Sequence, residues 1–191
     1  RQALDFDGVN DYVDCGSGIT GVANNVTVCC LILARAITSE RGLVTRVNGS
    51  DQGWALTISS NTLRWPTWAN GPRFALSLNT VYHVCGVNRN GVNELWVDGV
   101  KRGVDSPGTF VTPTINTVIG RYYGNFAGFY HSGWINDVRV YNRALSANEI
   151  SLLAQRPGIA YELAPRKTYF VQAAISTSQF YDVLSPLIFA G

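Results

Sequence analysis

Apolar and polar positions alternate in short runs along most of this chain, and Gly, Asn, Asp and Pro separate the runs. Leu4 and Phe6 alternate with Asp5 and Asp7, Gly8-Val9-Asn10-Asp11 carries turn residues, and Tyr12-Val13 resumes, so residues 3–14 read as a first strand pair. Val26 to Ala36 is almost continuously apolar, the pattern of a strand covered on both faces in the middle of a sheet. Gly42–Val47 and Gly53–Ile58 flank the turn Asn48-Gly49-Ser50-Asp51, and Leu63–Trp68 follows, where Pro66 argues for an edge or a loop. Val81–Val87, Asn93–Asp98 and Val100–Val104 are punctuated by Asn90-Gly91 and Asp98-Gly99, which are hairpin turn signals. Ile115–Arg121 adds a strand beyond Pro107-Gly108 and Pro113. About a dozen strands at turn-marked spacing predict an all-β, two-sheet antiparallel sandwich.

The pattern changes once. Trp134 to Tyr141 alternates, with Trp134, Asn136, Val138 and Val140 on one face and Ile135, Asp137, Arg139 and Tyr141 on the other. Ser146-Ala147-Asn148-Glu149 is then a capping box, serine at the N-cap and glutamate three residues on. Ile150, Leu152, Leu153 and Ala154 supply the apolar side of one short helix over 146–155, and Arg156-Pro157-Gly158 ends it. Residues 156–191 form an apolar extension: from Thr168 onward the only charged residue is Asp182. Burying one large apolar side chain is worth roughly 1.5–3 kcal/mol. Tyr169, Phe170, Phe180, Tyr181, Leu184, Leu187 and Phe189 are therefore candidates for an assembly contact with other subunits, or for a tail that covers its own domain.

Composition narrows the function classes. Of 191 residues, 46% are hydrophobic and only 15% charged, with a net charge of +2, so there is no electrostatic case for nucleic acid. No apolar run has transmembrane length. Arg1 is not a natural start, so the chain is expected to be cleaved or the sequence to omit its beginning. Four cysteines, Cys15, Cys29, Cys30 and Cys85, match no zinc spacing. Two readings stay open for them: buried free thiols, or a bridge from Cys15 to Cys29 or Cys30, which would imply an oxidising location.

The late stretch Ile135-Asn136-Asp137-Val138-Arg139-Val140-Tyr141-Asn142-Arg143-Ala144-Leu145-Ser146 resembles the laminin-G-like, concanavalin A-like lectin/glucanase jelly-roll family. So do the opening Ala3–Val13 and two middle pieces, Tyr82-His83-Val84 and Glu94–Val100. The resemblance covers residues 3 to 155 in the family's order and implies a jelly-roll over 1–155, with 156–191 as the extension. Val26–Leu33 departs from the family's aromatic-rich strand, and Asn136 stands where the family has the first of two successive aspartates, the second being Asp137. The family consists mostly of binding and display modules.

No catalytic constellation is visible. Glycosidase sandwiches place two or three carboxylates on one strand, one residue apart and facing a cleft, and Glu40, Glu94, Glu149 and Glu162 have no carboxylate two residues away. Glu94 and Asp98 share strand parity, but Asp98 reads as a turn residue. His83 reads as a packed structural histidine and His131 as a solvent-exposed one in a Gly-rich loop. A structural Ca2+ is the one cofactor indicated. Pairing of the first and last strands would bring Asp7, Asn10 and Asp11 to Asp137, with bonds to their own backbone as the alternative. Carbohydrate would need exposed aromatic rings beside amides and carboxylates, for which Trp65, Trp68, Tyr122, Tyr123, Phe129 and Tyr130 are the candidates. The expectation is a non-catalytic display protein at an extracellular or virion surface. The favoured setting, implied by the resemblance together with the tail, is a phage capsid decoration protein that docks through 156–191. The alternative is a carbohydrate-binding adhesion module.

Overall fold

The computed structural model describes residues 3–19, 25–36, 39–48, 52–66, 71–105, 114–122 and 129–157, and the backbone of strands Phe170–Gln172 and Phe180–Asp182. The chain divides into two compact units, Arg1–Pro157 and Gly158–Gly191. The first is a jelly-roll sandwich of two six-stranded antiparallel sheets. With strands numbered in chain order, one sheet runs β1 (Leu4–Asp7), β12 (Ser132–Tyr141), β3 (Asn25–Ala34), β8 (Val81–Arg89), β9 (Val92–Val97), β10 (Val100–Asp105). The other runs β2 (Val13–Asp14), β11 (Val118–Ile119), β4 (Arg41–Val47), β5 (Gly53–Ser59), β6 (Thr62–Arg64), β7 (Arg73–Ala75). In the second unit β13 (Phe170–Gln172) pairs antiparallel with β14 (Phe180–Asp182). Of the assembly candidates, Tyr169, Leu184, Leu187 and Phe189 lie outside the described residues, while Phe170, Phe180 and Tyr181 fall on this hairpin.

The core lies between the two sheets. Val26, Val28, Cys30, Ile32 and Ala34 of β3 meet Val44, Leu56, Ile58 and Leu63 of the facing sheet. Thr27 and Cys29, on the other face of β3, are buried as well, as the unbroken apolar run implied. Trp65 is fully buried, with its ring against the backbone of Gly86: a Cβ there would lie 2.1 Å from Cδ2 of the indole. Its Nε1 donates to the Val87 carbonyl at 3.0 Å.

Two local departures from the sequence pattern matter for the chemistry. β12 carries a bulge between Asn136 and Arg139, with Asp137 at φ +50°. The extra residue flips the alternation part-way along the strand. Ile135, Val138 and Val140 therefore all join the core, where uninterrupted alternation would separate Ile135 from the two valines. Second, Cys29 and Cys85 are direct partners in the β3–β8 register and form a disulfide, with Cα atoms 4.2 Å apart. This corrects the expected bridge from Cys15 and leaves the buried-free-thiol expectation holding for Cys30 alone, since Cys15 is an exposed free thiol.

The helix α1 (Ala147–Gln155) starts as its capping box dictates. Glu149 N–H donates to Ser146 Oγ at 3.3 Å, and Ser146 N–H donates to Glu149 Oε2 at 2.8 Å. Ile150 and Leu153 are its buried residues, and the helix packs on β8. In the first unit, the sheet edges are β1 and β10 in one sheet and β2 and β7 in the other.

Candidate functional site

Of the described aromatic candidates, Tyr122, Phe129 and Tyr130 gather where β11 leaves its sheet. Gly120, at φ +83°, lets the backbone pass directly over Phe6, whose ring would be 2.3 Å from a Cβ at this position. Arg121 then bridges to Tyr130, Tyr122 N–H donates to the Phe129 carbonyl at 3.0 Å, and His131 N–H donates to the Gly120 carbonyl at 2.8 Å. Gly42 admits this ladder, since a Cβ on it would sit 2.2 Å from the Arg121 backbone. Arg121 and Tyr130 are held in place by these bonds.

Side chains converge on that frame. Tyr12 is 43% exposed. The Arg121 guanidinium lies 3.8 Å from its ring centroid, and the Tyr130 ring is 6.4 Å away, tilted by 43°. Asp14, two residues along and so on the same side of the strand, accepts from Asn116 Nδ2 at 2.9 Å and from Gly16 N–H at 2.8 Å. The bond from Asn116, then that from Gly16, with Arg121 nearby, hold its carboxyl below the usual carboxylate range. Tyr122 and Phe129 pack edge to face, with centroids 6.0 Å apart. One surface thus carries aromatic rings, a guanidinium, a carboxylate and an amide. Rings accept the apolar C–H face of a flat polar ligand, and the charged and amide groups pair with its hydroxyls.

A second exposed aromatic, Trp134, lies on the outer face of the β12–β3–β8 sheet. It borders a hollow of about 230 Å³ with Ala3, Leu31, Leu33, Val81 and Asn136. Arg35 reaches over its ring at 5.8 Å and pairs with Asp5.

Several expected site residues lie elsewhere. Trp65 is a core residue and cannot serve as a sugar platform; its neighbour Pro66 is buried too. Trp68 and Tyr123 lie outside the described residues. His131 is fully buried rather than exposed: its Nε2 is 3.3 Å from the Leu33 carbonyl and its ring meets Phe6 edge-on. Burial holds its pKa down at about 4, so the ring is neutral at pH 7.

The proposed calcium ligands do not come together. β1 does pair with β12, but Asp7 sits opposite Ser132 and Leu4 opposite Ile135. Asp137 is therefore five positions further along β12, roughly 16 Å at the usual strand rise. Both its carboxylate oxygens accept from Arg139 at 2.8 Å. Asp7 Oδ1 accepts from Val9 and Asn10 N–H, and Asp11 Oδ2 from Asp7 N–H, so these are turn residues bonding their own backbone. This set does not fit a calcium ion.

Tyr12, Asp14, Asn116 and Arg121 were not singled out by sequence reasoning. Tyr12 looked like a strand residue, and only the β2–β11 pairing puts it beside residues a hundred positions away.

Residues 7–151 match a family model, Laminin_G_3, described as the concanavalin A-like lectin/glucanases superfamily. The chain belongs to that superfamily. No curated protein sequence matches it. Among solved structures, it is similar to the native heptameric SAP-like pentraxin of Limulus polyphemus, with TM-score 0.61 and 19% identity over 80% of this chain and 81% of the pentraxin. It is also similar to domain 4 of AbnA, a GH43 extracellular arabinanase from Geobacillus stearothermophilus solved with arabinotriose, with TM-score 0.63 and 16% identity over 80% and 76% of the two chains. Trypanosoma rangeli sialidase in complex with DANA matches with TM-score 0.55 and 20% identity over 68% of this chain and 22% of the sialidase. At these identities the likeness is one of fold.

Proposed function

We propose that this superfamily member is a non-catalytic carbohydrate-binding module that engages glycan through Tyr12, Tyr130, Arg121, Asp14 and Asn116. The observation that carries the reading is the exposed Tyr12 ring flanked on one surface by guanidinium, carboxylate and amide groups. The arabinotriose complex of the AbnA domain supports the same class of ligand. The Trp134 hollow is the weaker candidate, because its walls are mainly apolar, with Asn136 the one polar side chain among its lining residues. Two of the three described glutamates, Glu94 and Glu149, are tied up in ion pairs, and this supports a binding rather than a catalytic role. Glu94 is held by Arg89, Lys101 and the Trp96 indole, and Glu149 by Arg143 and its own helix cap.

The test is an array of neutral and acidic oligosaccharides followed by calorimetry on any glycan retained. Tyr12→Ala and Arg121→Ala are each expected to weaken binding by more than tenfold, about 1.4 kcal/mol or more, with Trp134→Ala unchanged. Loss in Trp134→Ala alone would move the site to the hollow. No glycan bound at millimolar concentration would refute the function.

A particle-surface setting is a further reading, favoured by the apolar composition of residues 168–191. The disulfide suits an extracellular location. Light scattering of the full chain against one ending at Pro157 tests the tail: assembly only in the full chain supports docking through it, and two monomers refute that.

A further inference from the structure

The outer face of β3 and β8 holds a cluster that glycan binding does not use. Cys29 on β3 faces Cys85 on β8 across one rung of the ladder, and the two are joined as a disulfide. His83 is two residues before Cys85 and so on the same face of the strand. It is 5% exposed, and its Nε2 lies 3.9 Å from Cys85 Sγ. The other ring nitrogen, Nδ1, is buried without a hydrogen-bond partner. One ligand atom from each of Cys29, His83 and Cys85 lies within 4.8 Å of the other two.

We propose that these three residues form a two-state thiol site: a cross-strand disulfide when oxidised and, when reduced, a Cys2His site for Zn2+. Zinc takes sulfur at about 2.3 Å and imidazole nitrogen at about 2.0–2.1 Å, so in a tetrahedron the sulfur–nitrogen edge is about 3.6 Å. The observed 3.9 Å separation of His83 Nε2 and Cys85 Sγ is already near that edge. Two ligands two residues apart on one strand and a third directly opposite occupy three corners, leaving the fourth for water. The backbone ladder fixes the positions from which all three side chains project.

The redox step is a thiol–disulfide exchange. A dithiol reductant attacks the Cys29–Cys85 bond through a mixed disulfide, leaves as its own cyclic disulfide, and the chain gains two thiols. Zn2+ then binds both sulfurs as thiolates, releasing two protons to solvent, and takes the lone pair of the neutral His83 ring. The two remaining thiols do not compete. Cys30 points into the sandwich core, and Cys15, on the other sheet's side of the chain, is exposed. A chain made in a reducing compartment would carry the ion and release it on meeting a disulfide oxidant, which takes the two electrons by thiol–disulfide exchange, leaves as its dithiol, and lets the Cys29–Cys85 cross-link replace the ion.

The experiment uses the full chain carrying Cys15→Ser, so that no surface thiol contributes. One half is reduced with a dithiol and freed of reductant under argon; the other is left oxidised. Both are dialysed against Zn2+, and metal per chain is measured, with Co2+ substitution reporting thiolate ligation through its charge-transfer absorption. The expected result is one Zn2+ per reduced chain, none per oxidised chain, and a thiolate-to-cobalt band only in the former. His83→Gln should weaken affinity on the order of 100-fold, and Cys29→Ser with Cys85→Ser should abolish binding. Circular dichroism verifies the fold of each variant. Thermal unfolding of the reduced parent with and without Zn2+ gives a readout that needs no substitution, and the ion is expected to raise the midpoint. Zinc uptake that is absent in the reduced parent, equal in the oxidised chain, or unaffected in His83→Gln would overturn the proposal.

Discussion

Substituting Gly86 by alanine tests the packing of the sandwich most directly. Gly86 lies inside β8 with no positive φ, and glycine in mid-strand is roughly 0.5–1 kcal/mol worse than alanine on backbone grounds. On that basis alone Gly86→Ala should stabilise. The structure says the opposite, because the new Cβ would stand 2.1 Å from Cδ2 and 2.2 Å from Cε3 of Trp65. The indole cannot withdraw: it is fully buried, tied by Nε1 to the Val87 carbonyl, and backed by the Trp54 ring at 6.3 Å. Overpacking of this kind costs about 1–3 kcal/mol, so after the backbone gain the net loss should fall between about 0 and 2.5 kcal/mol. In a Trp65→Leu background the ring is gone and the same substitution should become stabilising by about 0.5–1 kcal/mol. Trp65→Leu itself should cost about 2–4 kcal/mol, within the roughly 5–15 kcal/mol of a typical domain. Urea denaturation of the four proteins, with m-values compared, completes the cycle. Equal effects of Gly86→Ala in the two backgrounds would refute the reasoning, and so would a stabilising effect in the parent.

Three further outcomes are expected. Ser146→Ala removes the N-cap of α1 and should cost about 1 kcal/mol in the same assay, with a loss below about 0.3 kcal/mol counting against the capping box as an energetic device. Acid unfolding should have two stages. Burial holds His83 and His131 down at about 4, below the ordinary 6.5, so stability is complete above 6.5 and falls as pH drops toward 4, at about 1.4 kcal/mol per pH unit for each histidine. Glu149, held down at about 2 by Arg143 and then by the Ser146 backbone, adds a loss between 4.5 and 2; His131→Gln should roughly halve the slope of the first stage, leaving the His83 share, and leave the second unchanged. Cys29→Ser with Cys85→Ser opens a loop spanning a sequence separation of 56. It should destabilise the oxidised chain by up to about 4 kcal/mol on the chain-entropy estimate, read as a lowered urea midpoint.

The strands, the helix and its cap were legible because each is announced by local chemistry. Alternation, Asn-Gly and Asp-Gly turns, and Ser146 with Glu149 act within a few residues of themselves. What stayed hidden depends on which strand lies beside which. Cys29 and Cys85 are 56 residues apart and meet only because β3 pairs with β8. Trp65 looked like a rim aromatic next to a proline, and nothing in Leu63–Trp68 says that a glycine on another sheet leaves a slot for its ring. The bulge at Asp137 is likewise silent in a strict alternation count, since one inserted residue changes parity without changing composition. The candidate site was half legible. Tyr122, Phe129 and Tyr130 stood out in a Gly-rich stretch, whereas Tyr12, Asp14 and Arg121 needed the β2–β11 pairing to become neighbours.

The four sheet edges described above bear on how such molecules behave when crowded. An unpaired strand edge is a template on which a second copy can extend the sheet. Here β2 is two residues long and β7 three, with exposed Arg73. β1 presents the exposed carboxylates of Asp5 and Asp7, and β10 has an irregular register between Lys101 and Gly103 and exposes Lys101 and Arg102. Each edge is too short, too charged or too irregular to zip onto its like. Sandwiches held shoulder to shoulder at high density would therefore keep their individual folds and not fuse through these four edges into continuous β-structure.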